Sequence, residues 1–167
     1  MVPATSRAAL PQGTSESEMG RTLAIDYGRR RIGLALSDEL GATAQPLMTI
    51  ERTNRRDLVR SLREICVKYE VAQIVVGHPL HMTGEVGEMA DEAATFATRL
   101  SKELKIETKL ADERLTTWEA RQTMTETKSR RKDEPIDAIA AAVLLRDYLE
   151  SHSEKISYAN RRKRSES

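Results

Sequence analysis

One cysteine in 167 residues, Cys66, leaves no disulfide framework and no cysteine-based zinc site, and suits a reducing compartment. Aromatic residues make up 4% of the chain, with Trp118 the single tryptophan, so no stacking platform for reading bases is evident. No apolar run approaches the roughly 18 residues needed to cross a bilayer; the longest are Ile74-Val75-Val76 and Ala138 to Leu145. Met1 to Gly20 lacks a sustained apolar stretch and carries Glu16 and Glu18, which argues against a signal peptide. The three histidines, His78, His81 and His152, do not fall at zinc-ligand spacing. Charge of one sign is also missing: 27 Lys and Arg stand against 26 Asp and Glu, so only local clusters can argue for a polyanionic partner. The expectation is a cytoplasmic protein with no membrane contact.

What is present fits one globular domain, with 39% apolar residues to build a core. Residues 1–20 are rich in Ser, Thr, Pro, Gly and Ala without periodicity and read as a flexible extension. The domain is expected over 21–150, and 151–167 reads as a polar tail ending in Arg161-Arg162-Lys163-Arg164. Within the domain, Thr22 to Asp26 and Arg31 to Ser37 are β-type runs joined by Tyr27-Gly28-Arg29-Arg30, a hairpin with a glycine turn, and Gln45 to Glu51 supplies a third strand. Asn54 caps a helix whose apolar face is Leu58, Leu62, Ile65, Cys66 and Tyr69. Ala72 to Val76 reads as a strand buried on both faces. A helix bearing Met89, Ala93, Phe96, Ala97, Leu100 and Leu104 follows, and Ile106 to Ala111 forms the fifth strand. Thr116 and Glu119 make a capping box for a further helix; Pro135 opens the last, with Ile136, Ile139, Ala140, Val143 and Leu144 as its buried stripe. This order predicts an α/β fold of ribonuclease H-like type. It would be a mixed five-stranded sheet, three strands as an antiparallel meander and two parallel, flanked by helices.

Four acids then stand where chemistry can gather. Asp26 ends a strand expected to be central, and Asp112 and Glu113 end the fifth strand, at the carboxyl edge where open α/β sheets collect ligands. Asp137 lies in the first turn of the last helix, among alanines small enough to let that helix approach the sheet. Each acid also has an ordinary structural role, Asp26 in the turn and the others beside helix dipoles. Converging, they offer the hard oxygen ligands that Mg2+ or Mn2+ prefers. Two such ions about 3.5 to 4 Å apart can activate water and stabilise the departing oxygen of a phosphodiester, with no nucleophilic side chain needed. Arg29, Arg30 and Arg31 in the hairpin turn, and Lys128, Arg130, Arg131 and Lys132 ahead of Asp137, bracket the acids with charge suited to phosphates. Arg114 joins them beside Glu113, and His78 and His81 flank a Pro turn that can contact substrate.

Four stretches together resemble the YqgF/RuvX family. They are Ala24-Ile25-Asp26-Tyr27-Gly28 with Arg31-Ile32-Gly33-Leu34-Ala35-Leu36-Ser37-Asp38, then Ile74-Val75-Val76-Gly77-His78-Pro79-Leu80 with Met82 and Gly84, then Asp112-Glu113-Arg114-Leu115-Thr116-Thr117, and Ile136-Asp137-Ala138-Ile139-Ala140-Ala141. The resemblance implies a ribonuclease H-like fold related to the junction resolvase RuvC. It also implies a metal-dependent endonuclease that processes the 5′ end of pre-16S rRNA, or, in older descriptions, resolves Holliday junctions. Motif for motif, Asp26 takes the first-strand acid, Glu113 with Asp112 beside it the acid after the fifth strand, and Asp137 the acid of the last helix. RuvC-like resolvases carry an acid at the end of the fourth strand, where this chain has Gly77-His78-Pro79, so Glu113 must reach the site from the neighbouring strand. The partner is then structured RNA or branched DNA, acted on by a monomer or a homodimer. A non-catalytic RNA-binding assembly factor on the same fold is the competing class. The Asp26-x-Gly28 hairpin also looks like the first phosphate motif of actin-like kinases, but those need a second domain.

Overall fold

The computed structural model describes residues 20–78, 87–112 and 136–165, the stretch 154–165 as backbone. Five strands form one sheet in the order β3-β2-β1-β4-β5. They are β1 (Arg21–Tyr27), β2 (Arg31–Ser37), β3 (Ala44–Glu51), β4 (Val71–His78) and β5 (Glu107–Asp112), with helices α1 (Arg55–Lys68), α2 (Glu88–Leu104) and α3 (Ile136–Ser165). β1 pairs antiparallel with β2 and β2 with β3, while β4 lies parallel to both β1 and β5. The sheet is the mixed ribonuclease H-like arrangement expected from the order of patterns. The further helix expected around Thr116 lies outside the described residues.

Strand alternation sorts the core into two layers. Leu23, Ile25, Tyr27, Ile32, Leu34, Ile74 and Val76 face α1 and α2, meeting Leu58, Leu62, Ile65, Phe96 and Leu100. On the opposite face Ala24 and Ala35 meet Ala141, Ala142, Leu144 and Leu145 of α3. Asn54 caps α1, its side chain accepting from the Asp57 N–H, so Leu58 and Leu62 turn inward as the apolar spacing requires. On the open edge, Pro46 of β3 sits opposite Ala35 beside a register shift, where a missing donor is tolerated.

The stripe of α3 differs in part from the expected one. Val143 and Leu144 are buried as expected, but Ile136 is 62% exposed and Ile139 and Ala140 only partly buried, and the face is completed by Ala138, Ala141, Ala142 and Leu145. Small side chains win this face because the helix lies very close to the sheet. A Cβ built on Gly33 would fall 1.8 Å from the Asp137 carbonyl oxygen. From that contact α3 crosses to the far end of the sheet. There the Tyr148 hydroxyl donates to Gln73 Oε1 at 3.2 Å, and Leu149 lies against Gly41 in the turn after β2. The helix then runs on through Ser165. Among the described residues, no helix is long and apolar enough to cross a membrane.

Candidate active site at the carboxyl end of the first strand

Asp26 is the penultimate residue of β1, half-buried, and its register partner on β2 is Gly33. Two positions earlier Ala24 packs against α3, so alternation turns Asp26 to the same face. The absence of a side chain at Gly33 opens the space that the first turn of α3 fills, and Asp137 is seated in that turn. Two acids more than a hundred positions apart in the chain are thus brought to one corner of one face. Arg31, the first residue of β2, pairs with Asp137 at 3.4 Å (Nε to Oδ2), the guanidinium two-thirds exposed and the carboxylate about one-third. An exposed pair of this kind contributes little stability. It sets a cation beside the carboxylate at the rim.

Asp112 does not join them on that face. Ala111 packs on the α3 side, so the next residue turns to the α2 side, where Asp112 is the register partner of His78. Among the described residues no group of three or more acids, histidines or cysteines is arranged to hold a metal ion. Glu113, His81, Arg114, Lys128, Arg130, Arg131 and Lys132 lie outside the described residues. Arg29 and Arg30 are exposed in the turn after Tyr27, which Gly28 closes by donating its N–H to the Arg31 carbonyl at 3.1 Å. The donor set fits a hard divalent ion in kind, since Asp26 and Asp137 present carboxylate oxygens and, among the described residues, no histidine or cysteine stands with them.

Sequence reading did not single out two features. Gly33 was legible only as part of a motif, though a glycine inside a strand and opposite an acid signals close backbone approach. The second is a cleft of about 670 Å³ on the α1–α2 face, lined in part by Tyr27, Arg52, Arg55, Glu92, Phe96 and Arg99. There Tyr27 stacks on Phe96 at 4.6 Å, and the Arg52 guanidinium lies 4.6 Å over the Tyr27 ring. Arg52 also holds Glu92 at 3.1 Å and donates to the Gly28 carbonyl at 3.4 Å. Burial pushes the Tyr27 hydroxyl above its ordinary pKa, the Arg52 charge opposes this, and Glu92 adds to it. The network ties the hairpin turn to α2 from behind. The cleft is on the opposite face from Asp26 and is not part of the acid corner.

Comparison with known proteins bears on what this corner serves. The family pattern RuvX, described as Holliday junction resolvase, matches residues 20–151. The chain belongs to the RuvX family. Among curated relatives, a "Putative pre-16S rRNA nuclease" of Koribacter versatilis is 40% identical over 133 residues, 78% of this chain and 87% of that one. A protein of the same description from Clostridium acetobutylicum is 41% identical over 133 residues, covering 78% and 98%. Thermus thermophilus RuvC resembles the RuvX chain in fold, with a TM-score of 0.52 at 14% identity over 80% of this chain and 96% of that one. A nuclease family on a ribonuclease H-like sheet is what the four sequence motifs implied. The RuvX match spans all five strands and ends at residue 151, inside α3.

Proposed function

We propose that this chain is a divalent-metal-dependent endonuclease that trims the 5′ end of precursor 16S rRNA, with Asp26, Glu113 and Asp137 as its catalytic metal ligands. The observation that carries the reading is the seating of the first turn of α3 in the space left by Gly33, directly opposite Asp26. An ordinary helix-capping role for Asp137 would not require that close approach. Asp112 turns to the α2 face, and Glu113 enters the reading through the motif it shares with the family. Mg2+ or Mn2+ held by these carboxylates would supply a water nucleophile at neutral pH and charge stabilisation for the leaving oxygen. The protein's own residues fix the carboxylates, position the backbone phosphate through Arg31 and the neighbouring turn arginines, and supply no nucleophile of their own. The curated relatives' description points to precursor rRNA; the family description makes a DNA junction the second reading.

The test is Asp26→Asn with Mn2+ or Mg2+ on a precursor 16S rRNA fragment and on a four-way DNA junction, side by side. Wild type is expected to cut the RNA and the variant to lose cleavage by at least a hundredfold with RNA binding and unfolding midpoint nearly unchanged. Retained cleavage by the variant would remove Asp26 from the mechanism. Cutting of the junction alone would transfer the reading to DNA.

A further inference from the structure

Residues 154–165 continue α3 as helix beyond the family match, which ends at 151. They carry Lys155, Arg161, Arg162, Lys163 and Arg164 against one acid, Glu154. The formal charge of the whole chain is +1. This stretch contributes +4 of it (five cations less one acid), so all the other residues together sum to −3. A body of that sign is not drawn to a polyanion by its net field, and the attraction has to come from local concentrations of positive charge. Arg161 to Arg164 place four consecutive cations within about one helical turn, a local concentration of charge that a row of phosphates neutralises.

The placement of this arm is set by the fold. α3 starts at the acid corner and reaches the opposite end of the sheet at Tyr148 and Leu149. At 1.5 Å per residue, Arg161 to Arg164 lie about 18 to 22 Å further along the axis, and about 36 to 40 Å from Asp137. That separation is close to one turn of B-form DNA, about 34 to 36 Å, and somewhat more than one turn of an A-form RNA stem, whose pitch is shorter. We propose that the α3 extension is a second docking element, which binds the phosphate backbone of a double-stranded stem one turn or a little more away from the segment held at the acid corner. The proposal rests on the nuclease reading for what sits at the corner and adds the class of substrate: a stem of at least one full turn lying along α3.

The experiment compares full-length wild type with a quadruple variant, Arg161→Gln, Arg162→Gln, Lys163→Gln and Arg164→Gln, glutamine being a comparable helix former. Binding is measured in EDTA, so that its outcome is independent of cleavage, on RNA hairpins of roughly 6 and roughly 20 base pairs, shorter and longer than one turn. On the long stem at about 0.1 M salt the variant is expected to bind at least tenfold more weakly, with the slope of log K against log salt reduced by about 2 to 4. On the short stem the two proteins should bind alike. A second variant, Arg161→Lys, Arg162→Lys and Arg164→Lys, should keep long-stem affinity within about threefold, because unspecific phosphate contact needs charge rather than guanidinium geometry. A matched DNA hairpin separates the sources. Equal loss on DNA assigns the arm to duplex phosphates in general, and loss on RNA alone assigns it to RNA stems; either supports the proposal. Unchanged long-stem binding in the glutamine variant, or equal loss on short and long stems, overturns it. Failure of the nuclease reading would show instead as cleavage retained by Asp26→Asn, with these binding results untouched.

Discussion

Replacing Gly33 with alanine tests the acid corner by moving it rather than by removing a carboxylate. The new Cβ would lie 1.8 Å from the Asp137 oxygen, 2.2 Å from its carbonyl carbon and 2.9 Å from the Ala138 nitrogen, all backbone atoms that cannot rotate away. Relief requires the first turn of α3 to withdraw by more than about 1 Å, since real Cβ contacts essentially never fall below 3.0 Å. Catalytic constellations tolerate about 0.5 Å, and a misplacement near 1 Å costs on the order of a hundredfold in rate. Overpacking of this kind destabilises by about 1 to 3 kcal/mol, which a domain of this size can survive. The expected result is a cleavage rate down about a hundredfold in a protein that still unfolds cooperatively in urea. Gly41→Ala is the control. Gly41 has a φ of +66°, so alanine there is strained by about 1 kcal/mol, but its nearest neighbour is a side-chain methyl of Leu149 at 3.7 Å. That variant should lose comparable stability and keep its cleavage rate. Wild-type cleavage by Gly33→Ala at unchanged stability would refute the idea that α3 is seated there to deliver Asp137.

Two further perturbations probe the scaffold. Burial pushes the Cys66 thiol up to about 11 from its ordinary value of 9.0. Its proton is therefore kept longer in the folded chain than in the unfolded one, so stability is complete below about pH 9 and falls as pH rises toward 11. The fall is on the order of 2 to 3 kcal/mol from this group. Tyr27 and Tyr148, both raised by burial, push in the same direction at still higher pH. Urea titrations from pH 7 to 11 should show the decline, and Cys66→Ala should flatten its lower part; a flat wild-type profile would contradict the burial. Asn54→Ala removes the side chain that accepts from the Asp57 N–H at 3.0 Å and should destabilise by about 1 kcal/mol without altering cleavage, a loss readable as a lower urea midpoint.

The strands and the first two helices were legible either from the period of one buried face or, in β2 and β4, from an apolar run buried on both. Asn54, Leu58, Leu62 and Ile65 define α1 with no outside information, and Arg31 to Ser37 marks β2 by its uninterrupted apolar run. α3 misled the eye, since Ile136 and Ile139 look like core at helical spacing, whereas alanines face the sheet because a glycine on β2 draws the backbone in. Hydrophobicity ranks isoleucine above alanine, but distance decided the face. The face taken by Asp112 could not be read from adjacent letters, because it turns on which side of the pleat Ala111 occupies. That Asp26 and Asp137 share a corner was legible from the motifs and from the alanines beside Asp137, small enough to let α3 approach the sheet. The physical cause, Gly33, is a residue with no side chain to attract notice.

The proline in β3 has a bearing on how copies of the molecule can meet. An outer strand offers its free backbone groups as a template on which a neighbour's strand could zip in register. Pro46 and the irregular spacing beside it spoil that template along one margin of the sheet. Self-association through a continuous ten-stranded ribbon at this margin is therefore disfavoured, and the protein can be concentrated for assay with that route to aggregation obstructed by its own covalent geometry.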